Sequence, residues 1–296
     1  MAGQTVLVTG SSRGLGRCVV ETLARRQHTV FASMRGVEGK NAESAAELRA
    51  LAEREGLRIH GVELDVSDEA SIQTAVQRVL EAAGHIDVVI HNAGFGLMGP
   101  TEACSMEQIR SLFEANVFGV LRLNQAVLPH MRRRGSGLLM YMASTSGHMF
   151  YPFLGAYSGT KAALEAIAHT VHYEVFSLGI DTVILQLGTY ATDFGTNYQQ
   201  ATRDEVWDGY GATGETARAF LAGVVDYMSK ASDPQEAAEM VAKLIDTPAG
   251  QRPLRVAVGM GSEGLLKLNE ASEAIHSRIL SPVGLDSLLT RKGEDK

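Results

Sequence analysis

Short runs of apolar, largely β-branched residues alternate along this chain with longer stretches whose apolar positions recur every three or four residues. Residues 5–8, 29–32, 57–64, 86–91, 137–143, 181–186 and 254–258 have the length and composition of strands buried on both faces. Residues 14–25, 42–54, 68–83, 106–131, 157–178 and 233–244 carry the helical period. Two of these helices open on a serine followed three residues later by glutamine, Ser105 with Gln108 and Ser232 with Gln235, the spacing of a capping box that satisfies end-of-helix amides. Strands alternating with crossover helices predict an α/β fold, a doubly wound parallel sheet that takes ligands at the carboxyl ends of its strands.

Composition narrows the class of protein. A chain of 296 residues with 45% hydrophobic content is long enough to bury a large core. Its net charge of −7 argues against a nucleic-acid-binding surface. Cys18 and Cys104 are its only cysteines, which suits a reducing compartment and leaves no disulfide scaffold or cysteine zinc site. His169 and His172 share a helical face without a third ligand, so no metal site is expected. No run of eighteen apolar residues is present, and no signal-peptide pattern precedes the first strand, so the expectation is a cytoplasmic protein with no membrane span.

Two constellations carry chemistry. The stretch VTGSSRGLGR places Gly10, Gly14 and Gly16 where the first strand meets the first helix. A side chain there would keep the backbone away from a pyrophosphate that a helix N-terminus attracts. Sites selective for NAD put an acid at the end of the second strand, about twenty residues on, to hold the ribose hydroxyls. Here Met34 stands eighteen residues beyond Gly16 and is followed by Arg35, so Arg13 and Arg35 could converge on the 2′-phosphate of NADP. On the fifth helix, Tyr157 and Lys161 are four residues apart and so share a face. An adjacent ammonium favours phenolate and would lower the tyrosine's pKa, fitting it for proton exchange with an alcohol or carbonyl oxygen.

Together the stretches TGSSRGLG, LDV, HNAG, NVFG, MASTSG and YSGTK, in this order and at these spacings, resemble the short-chain dehydrogenase/reductase family from Gln4 to about Val258. ASMRG, NAGFGLMGPTE and NVFGVLRL resemble its hydroxysteroid and retinol dehydrogenase branch most. The resemblance implies one doubly wound Rossmann domain with a seven-stranded parallel sheet over residues 1–260, a substrate flap at 193–230, and a C-terminal extension at 261–296. It also implies assembly into a homodimer or homotetramer. Tyr157 is then the general acid/base, Lys161 its partner and a holder of the nicotinamide ribose, and Ser144 the hydroxyl on the reacting oxygen, with Ser146 a neighbouring candidate. Asn116 matches the asparagine that positions a water for proton relay. Cofactor contacts carried over are Gly10, Ser12, Arg13, Gly14, Leu15, Gly16, Arg35, Asp65, Val66, Asn92, Ala93, Gly94, Tyr157, Lys161, Gly188 and Thr192.

Two positions depart from the family pattern: His91 replaces the first of two asparagines, and Leu187 replaces a proline before Gly188, loosening a backbone restraint beside the nicotinamide. Phe194, Tyr198, Trp207, Tyr210 and Phe220, with His148, Met149, Phe150, Tyr151 and Phe153 upstream, would suit a bulky hydrophobic ketone or alcohol or else belong to the core. The expected function is an NADP(H)-dependent oxidoreductase interconverting a hydrophobic secondary alcohol and ketone. A non-catalytic NADP(H) sensor, or an epimerase, dehydratase or isomerase of the same family, is the alternative. The apolar residues of the extension suggest a docked helix, at a subunit contact or over the pocket.

Overall fold

The computed structural model describes residues 3–195 and 198–289, so residues 196–197 of the expected flap and 290–296 of the extension lie outside the described residues. Seven strands form a wholly parallel sheet: β1 (Thr5–Thr9), β2 (Thr29–Met34), β3 (Ile59–Glu63), β4 (Val88–His91), β6 (Gly137–Met142), β7 (Ile180–Leu187) and β9 (Arg255–Val258). Their spatial order is β3-β2-β1-β4-β6-β7-β9, and the winding reverses between β1 and β4. A reversal opens a crevice because neighbouring connections leave in opposite directions there. Two short segments, β5 (Leu97–Met98) and β8 (Gln199–Gln200), pair in parallel outside this sheet.

Successive residues of a strand point to opposite faces, and β1 shows the result within three residues. Val6 and Val8 enter a core with Val19, Val20 and Leu23 of α1 (Gly14–Arg25), Leu48 of α2 (Ala42–Glu55), and Val241 and Ile245 of α9 (Pro234–Asp246). Leu7 enters the opposite core with Ile72 and Val79 of α3 (Glu69–Ala83), Leu123 and Val127 of α5 (Gly119–Arg134), and Leu164 and Ala168 of α6 (Gly155–Val175). Each fully buried aliphatic side chain contributes about 1.5–3 kcal/mol, so both layers are held on the sheet by many comparable increments.

Local chemistry sets the helix ends. Asp68 caps α3 by accepting from Ala70 N and Ser71 N, and Ser105 and Gln108 form the expected capping box on α4 (Met106–Phe113). The second expected box does not form. Asp233 is the N-cap of α9 and accepts from Gln235 N at 2.8 Å, while Ser232 Oγ accepts from Met260 N at 3.0 Å. Aspartate caps as well as serine does, and Pro234 in the first turn starts the helix one residue later than the serine would.

The helix expected over 106–131 is interrupted. A π turn at Glu114–Phe118 separates α4 from α5, and at its centre Asn116 is buried. The region expected as a flap is mostly helical, with α7 (Asp204–Gly209) and α8 (Gly211–Ser229). The extension does form a docked helix, α10 (Leu265–Leu280), but it packs beside β9 and, through His276 on His169, against α6, and none of the extension's described residues borders the cavity described below.

A buried ion pair fastens the far edge of the sheet. Arg252 Nη1 donates to Asp181 Oδ2 at 2.6 Å, its Nε donates to Leu244 O at 2.7 Å, and Gly250 N donates to the same carboxylate at 3.0 Å. Breaking one partner leaves the other charge buried, which costs about 3–5 kcal/mol. Asp181→Ala is therefore expected to lower the unfolding free energy by about that amount in urea titrations, and a loss under ~1 kcal/mol would show that the pair contributes little.

Candidate active site

The turn between β1 and α1 is built for close approach. A Cβ on Gly16 would lie 2.3 Å from Gly10 O and 2.4 Å from Asn92 Nδ2, and Gly10 itself has φ +68° with Ala93 Cα 2.8 Å from where its Cβ would be. No side chain therefore fits at either position. α1 begins with no capping side chain and no acid in its first turn, which leaves its leading amides and the positive end of its dipole to an external anion.

Opposite that turn the cavity edge is cationic. Met34 is buried at the end of β2, where a ribose-binding acid would stand, and Arg13 and Arg35 both border the cavity as expected. Arg35 Nη1 lies 3.8 Å from Asp65 Oδ2 and remains more than half exposed. Lys40 and Asn41, which the sequence reading did not single out, border it too, and Asn41 Nδ2 donates to Arg35 O at 2.6 Å. Glu63 takes the amides of Gly36 and Val37 at 2.7 Å each, so its carboxylate is engaged in holding the arginine's loop.

Ser12, Leu15, Val66, Asn92, Ala93, Gly94, Gly188 and Thr192 line the same cavity, whose volume is about 700 Å³. Asn92 Nδ2 donates to Thr9 O and Gly10 O, both at 2.9 Å, tying β4 to the glycine turn. Asn116 is the exception among the expected site residues. It does not border the cavity, and its amide is engaged by the protein: Oδ1 accepts from Phe95 N at 3.1 Å, and Nδ2 donates to Phe95 O at 2.9 Å and Thr160 Oγ1 at 3.1 Å. Its side chain holds the loop after Gly94 against α6.

Ser144, Tyr157 and Lys161 meet at the cavity floor. Burial pushes the Tyr157 phenol up to about 12, opposed by a hydrogen bond with Ser144, and burial pulls the Lys161 ammonium down to about 8. The expectation that Lys161 lowers the phenol's pKa is not met in this arrangement. Lys161 Nζ donates to Met142 O at 2.8 Å and lies over the Tyr157 ring, 5.8 Å from its centroid, so its position does not offset the desolvation of the phenol. At neutral pH Tyr157 is thus a protonated acid beside the Ser144 hydroxyl. Ser144 Oγ also accepts from Ser146 N at 3.1 Å, which places Ser146 in the supporting turn, although it too borders the cavity.

The remaining wall is apolar and aromatic. Phe194, Tyr198, Phe220, Val224 and Met228 border the cavity, and Tyr198 stands edge-on to Tyr157 with ring centroids 6.0 Å apart. Only glycine at position 96 admits the Tyr198 ring, since a Cβ there would lie 2.1 Å from it. The other aromatics divide. Trp207 is core, with Nε1 donating to Ala201 O, whereas Tyr210 and Phe150 are exposed away from the cavity and Tyr151 borders it. The missing proline at Leu187 leaves no slack, because Gly188 N donates to Val258 O at 2.8 Å and Thr189 N to Met260 O at 2.9 Å.

Residues 4–203 match the short chain dehydrogenase family. Human 17-beta-hydroxysteroid dehydrogenase type 1 is 36% identical over 199 residues, covering 66% of this chain and 59% of the human protein. A short-chain dehydrogenase from Streptomyces avermitilis superposes with a TM-score of 0.77 at 30% identity, over 95% of this chain and 97% of that one. An alcohol dehydrogenase from Thermococcus sibiricus, complexed with 5-hydroxy-NADP, gives 0.70 at 26% identity over 88% and 97%.

His91, at the end of β4, stacks on Tyr141 at 4.9 Å, and its buried Nε2 has no hydrogen-bond partner. Burial pulls its pKa down to about 3. The folded protein therefore keeps His91 neutral where the unfolded chain, titrating near 6.5, takes up a proton, so stability is lost as pH falls from about 6.5 toward 3, by up to ~1.4 kcal/mol per pH unit. His91→Asn is expected to make the thermal midpoint fall less steeply between pH 6.5 and 4. Parallel slopes for the two proteins would show that His91 titrates normally.

Proposed function

The chain belongs to the short-chain dehydrogenase family, whose members use nicotinamide cofactors, and we propose that it interconverts a hydrophobic secondary alcohol and its ketone with NADP(H). The observation that carries this reading is the convergence of Ser144, Tyr157 and Lys161 at the floor of one cavity whose far edge presents Arg13, Arg35 and Lys40, with Met34 at the end of β2 where a ribose-binding acid would stand.

The residues present fit a dinucleotide. Gly10 and Gly16 leave no room for a side chain, and the start of α1 offers amides to a pyrophosphate. Arg13 and Arg35 would take a 2′-phosphate, Asp65 and Val66 the adenine end, and Asn92, Ala93, Gly94, Gly188 and Thr192 the ribose and nicotinamide wall. When bound, the cofactor supplies or accepts the hydride.

The chain's own part is proton handling and orientation. Ser144 Oγ donates a hydrogen bond to the substrate oxygen and fixes its place beside the phenol. Tyr157, protonated at neutral pH, gives its proton to that oxygen as the ketone becomes an alcohol and recovers it in the reverse direction. Phe194, Tyr198, Phe220 and Met228 exclude water and suit a bulky apolar carbonyl compound, in keeping with the hydroxysteroid named for the human relative. A site that only sensed NADP(H) would have no use for the acid, the serine and the apolar pocket together, so their convergence supports turnover.

Tyr157→Phe removes only the hydroxyl, and kcat is expected to fall by roughly 10²-fold or more on every ketone the protein reduces. NADPH affinity, read by fluorescence, should stay within a few fold. Retention of full turnover by this variant would exclude Tyr157 as the acid.

NADPH is expected to be preferred over NADH by at least ~10-fold in kcat/KM, since one charged contact contributes about 1.5–3 kcal/mol. Arg35→Ala should raise KM for NADPH and leave NADH nearly unchanged. Equal use of both cofactors by the unmodified enzyme would contradict the assignment of the arginines.

A further inference from the structure

Beyond the cavity, on the same helix as Tyr157 and Lys161 and one turn after the lysine, Glu165 is almost fully buried. Its Oε1 accepts from Arg255 Nε at 2.8 Å and from Gln186 Nε2 at 2.7 Å. Its Oε2 lies 3.2 Å from His148 Nδ1, out of line for a hydrogen bond, and neither of those two atoms has another partner. The helix α10 closes the cluster. Asn269 Nδ2 donates to Gln186 Oε1 at 2.7 Å, and the glutamine's amide returns to Asn269 Oδ1 at 3.2 Å.

The segments gathered here are those that deliver the reacting groups. His148 follows Ser144 by four residues, and Gln186 directly precedes Leu187 and Gly188 of the cavity wall. A buried carboxylate needs charge compensation, and Arg255 supplies it with a side chain as buried as the acid's own. Neutralisation alone would not require the glutamine or the histidine. Burial would push the Glu165 carboxyl up, but His148 and Arg255 together hold it below its usual range, so it stays ionised and holds its partners electrostatically.

We infer that Glu165, completed by Asn269 of the C-terminal helix, is a positioning residue that clamps the Ser144 loop and the end of β7 around α6 for the reaction proposed above. The extension thus acts on chemistry without touching the cavity. A displacement of the order of 1 Å at reacting groups costs up to ~10²-fold in rate, so loosening the clamp appears in kcat before it appears in binding.

Replacing Glu165 itself would strand Arg255 in the interior, so the test uses its milder neighbours, His148→Ala, His148→Gln and Asn269→Ala, in the full chain. Three readings are taken: NADPH dissociation by fluorescence, kcat and KM on the fastest ketone of an aromatic and polycyclic panel, and amide hydrogen exchange at residues 146–149, whose N–H groups bond within the Ser144 turn. His148→Ala and Asn269→Ala are expected to lower kcat by about 10-fold with KM and NADPH dissociation within about twofold, and to speed exchange in that turn by a similar factor. His148→Gln, whose uncharged side chain keeps a hydrogen-bond donor beside Glu165 Oε2, should restore kcat and exchange to near wild type. Wild-type kcat and exchange in both Ala variants would overturn the clamp, as would failure of the glutamine to rescue. If wild type reduces no ketone, the reaction reading fails by itself, and the exchange data still decide whether the clamp exists.

Discussion

Thr9 Oγ1 donates to Ile90 O and accepts from Asn92 N and Ala93 N, so one hydroxyl at the end of β1 satisfies three backbone groups at the end of β4. This seam is where the sheet reverses its winding, and strands joined in parallel have no hairpin to hold their ends in register. With Asn92 bonded back to the glycine turn, the two loops that form the crevice are tied to each other. The position of the glycine cradle relative to the Ser144 turn follows, because β4 is also the strand that pairs with β6.

The strands and the β1–α1 turn were legible because their information is local: apolar runs of the right length, glycines where a Cβ has no room, and a tyrosine and lysine one turn apart. The π turn was not, because nothing in EANVF marks a widened helix. It exists because Asn116 meets the backbone of Phe95 and the hydroxyl of Thr160, which lie far away in sequence. Lys40 escaped notice because its place beside Arg35 depends on how the loop after β2 folds over Glu63. α8, inside the expected flap, carries no clear helical signal because its alanines, glycines and few large apolar residues give a weak stripe, and the helix is exposed over most of its surface. The partners of Glu165 come from three separate segments, with Asn269 joined through Gln186 from a fourth, and no spacing rule connects them.

Spacing placed Tyr157 and Lys161 together, yet proximity alone did not determine their protonation. Desolvation acts on both, pushing each toward its neutral form, and the backbone carbonyl of Met142 takes the ammonium's hydrogen bond. The sequence reveals which groups meet, while the dielectric around them follows from the packing of Phe194 and Tyr198 over the phenol.

That packing also separates two kinds of evolutionary freedom. Tyr198 is pinned by the β5–β8 pairing and by Gly96, but α8 touches the body through a few side chains, among them Phe220 against Phe153 and Arg218 over the Trp207 ring. Substitutions at the exposed cavity-lining positions of α8, Phe220 and Tyr227, can therefore reshape one wall of the pocket at small expense in stability, whereas those near Tyr198 disturb the phenol itself. The cavity can thus change shape along one helix while the surroundings of the Tyr157 hydroxyl stay fixed.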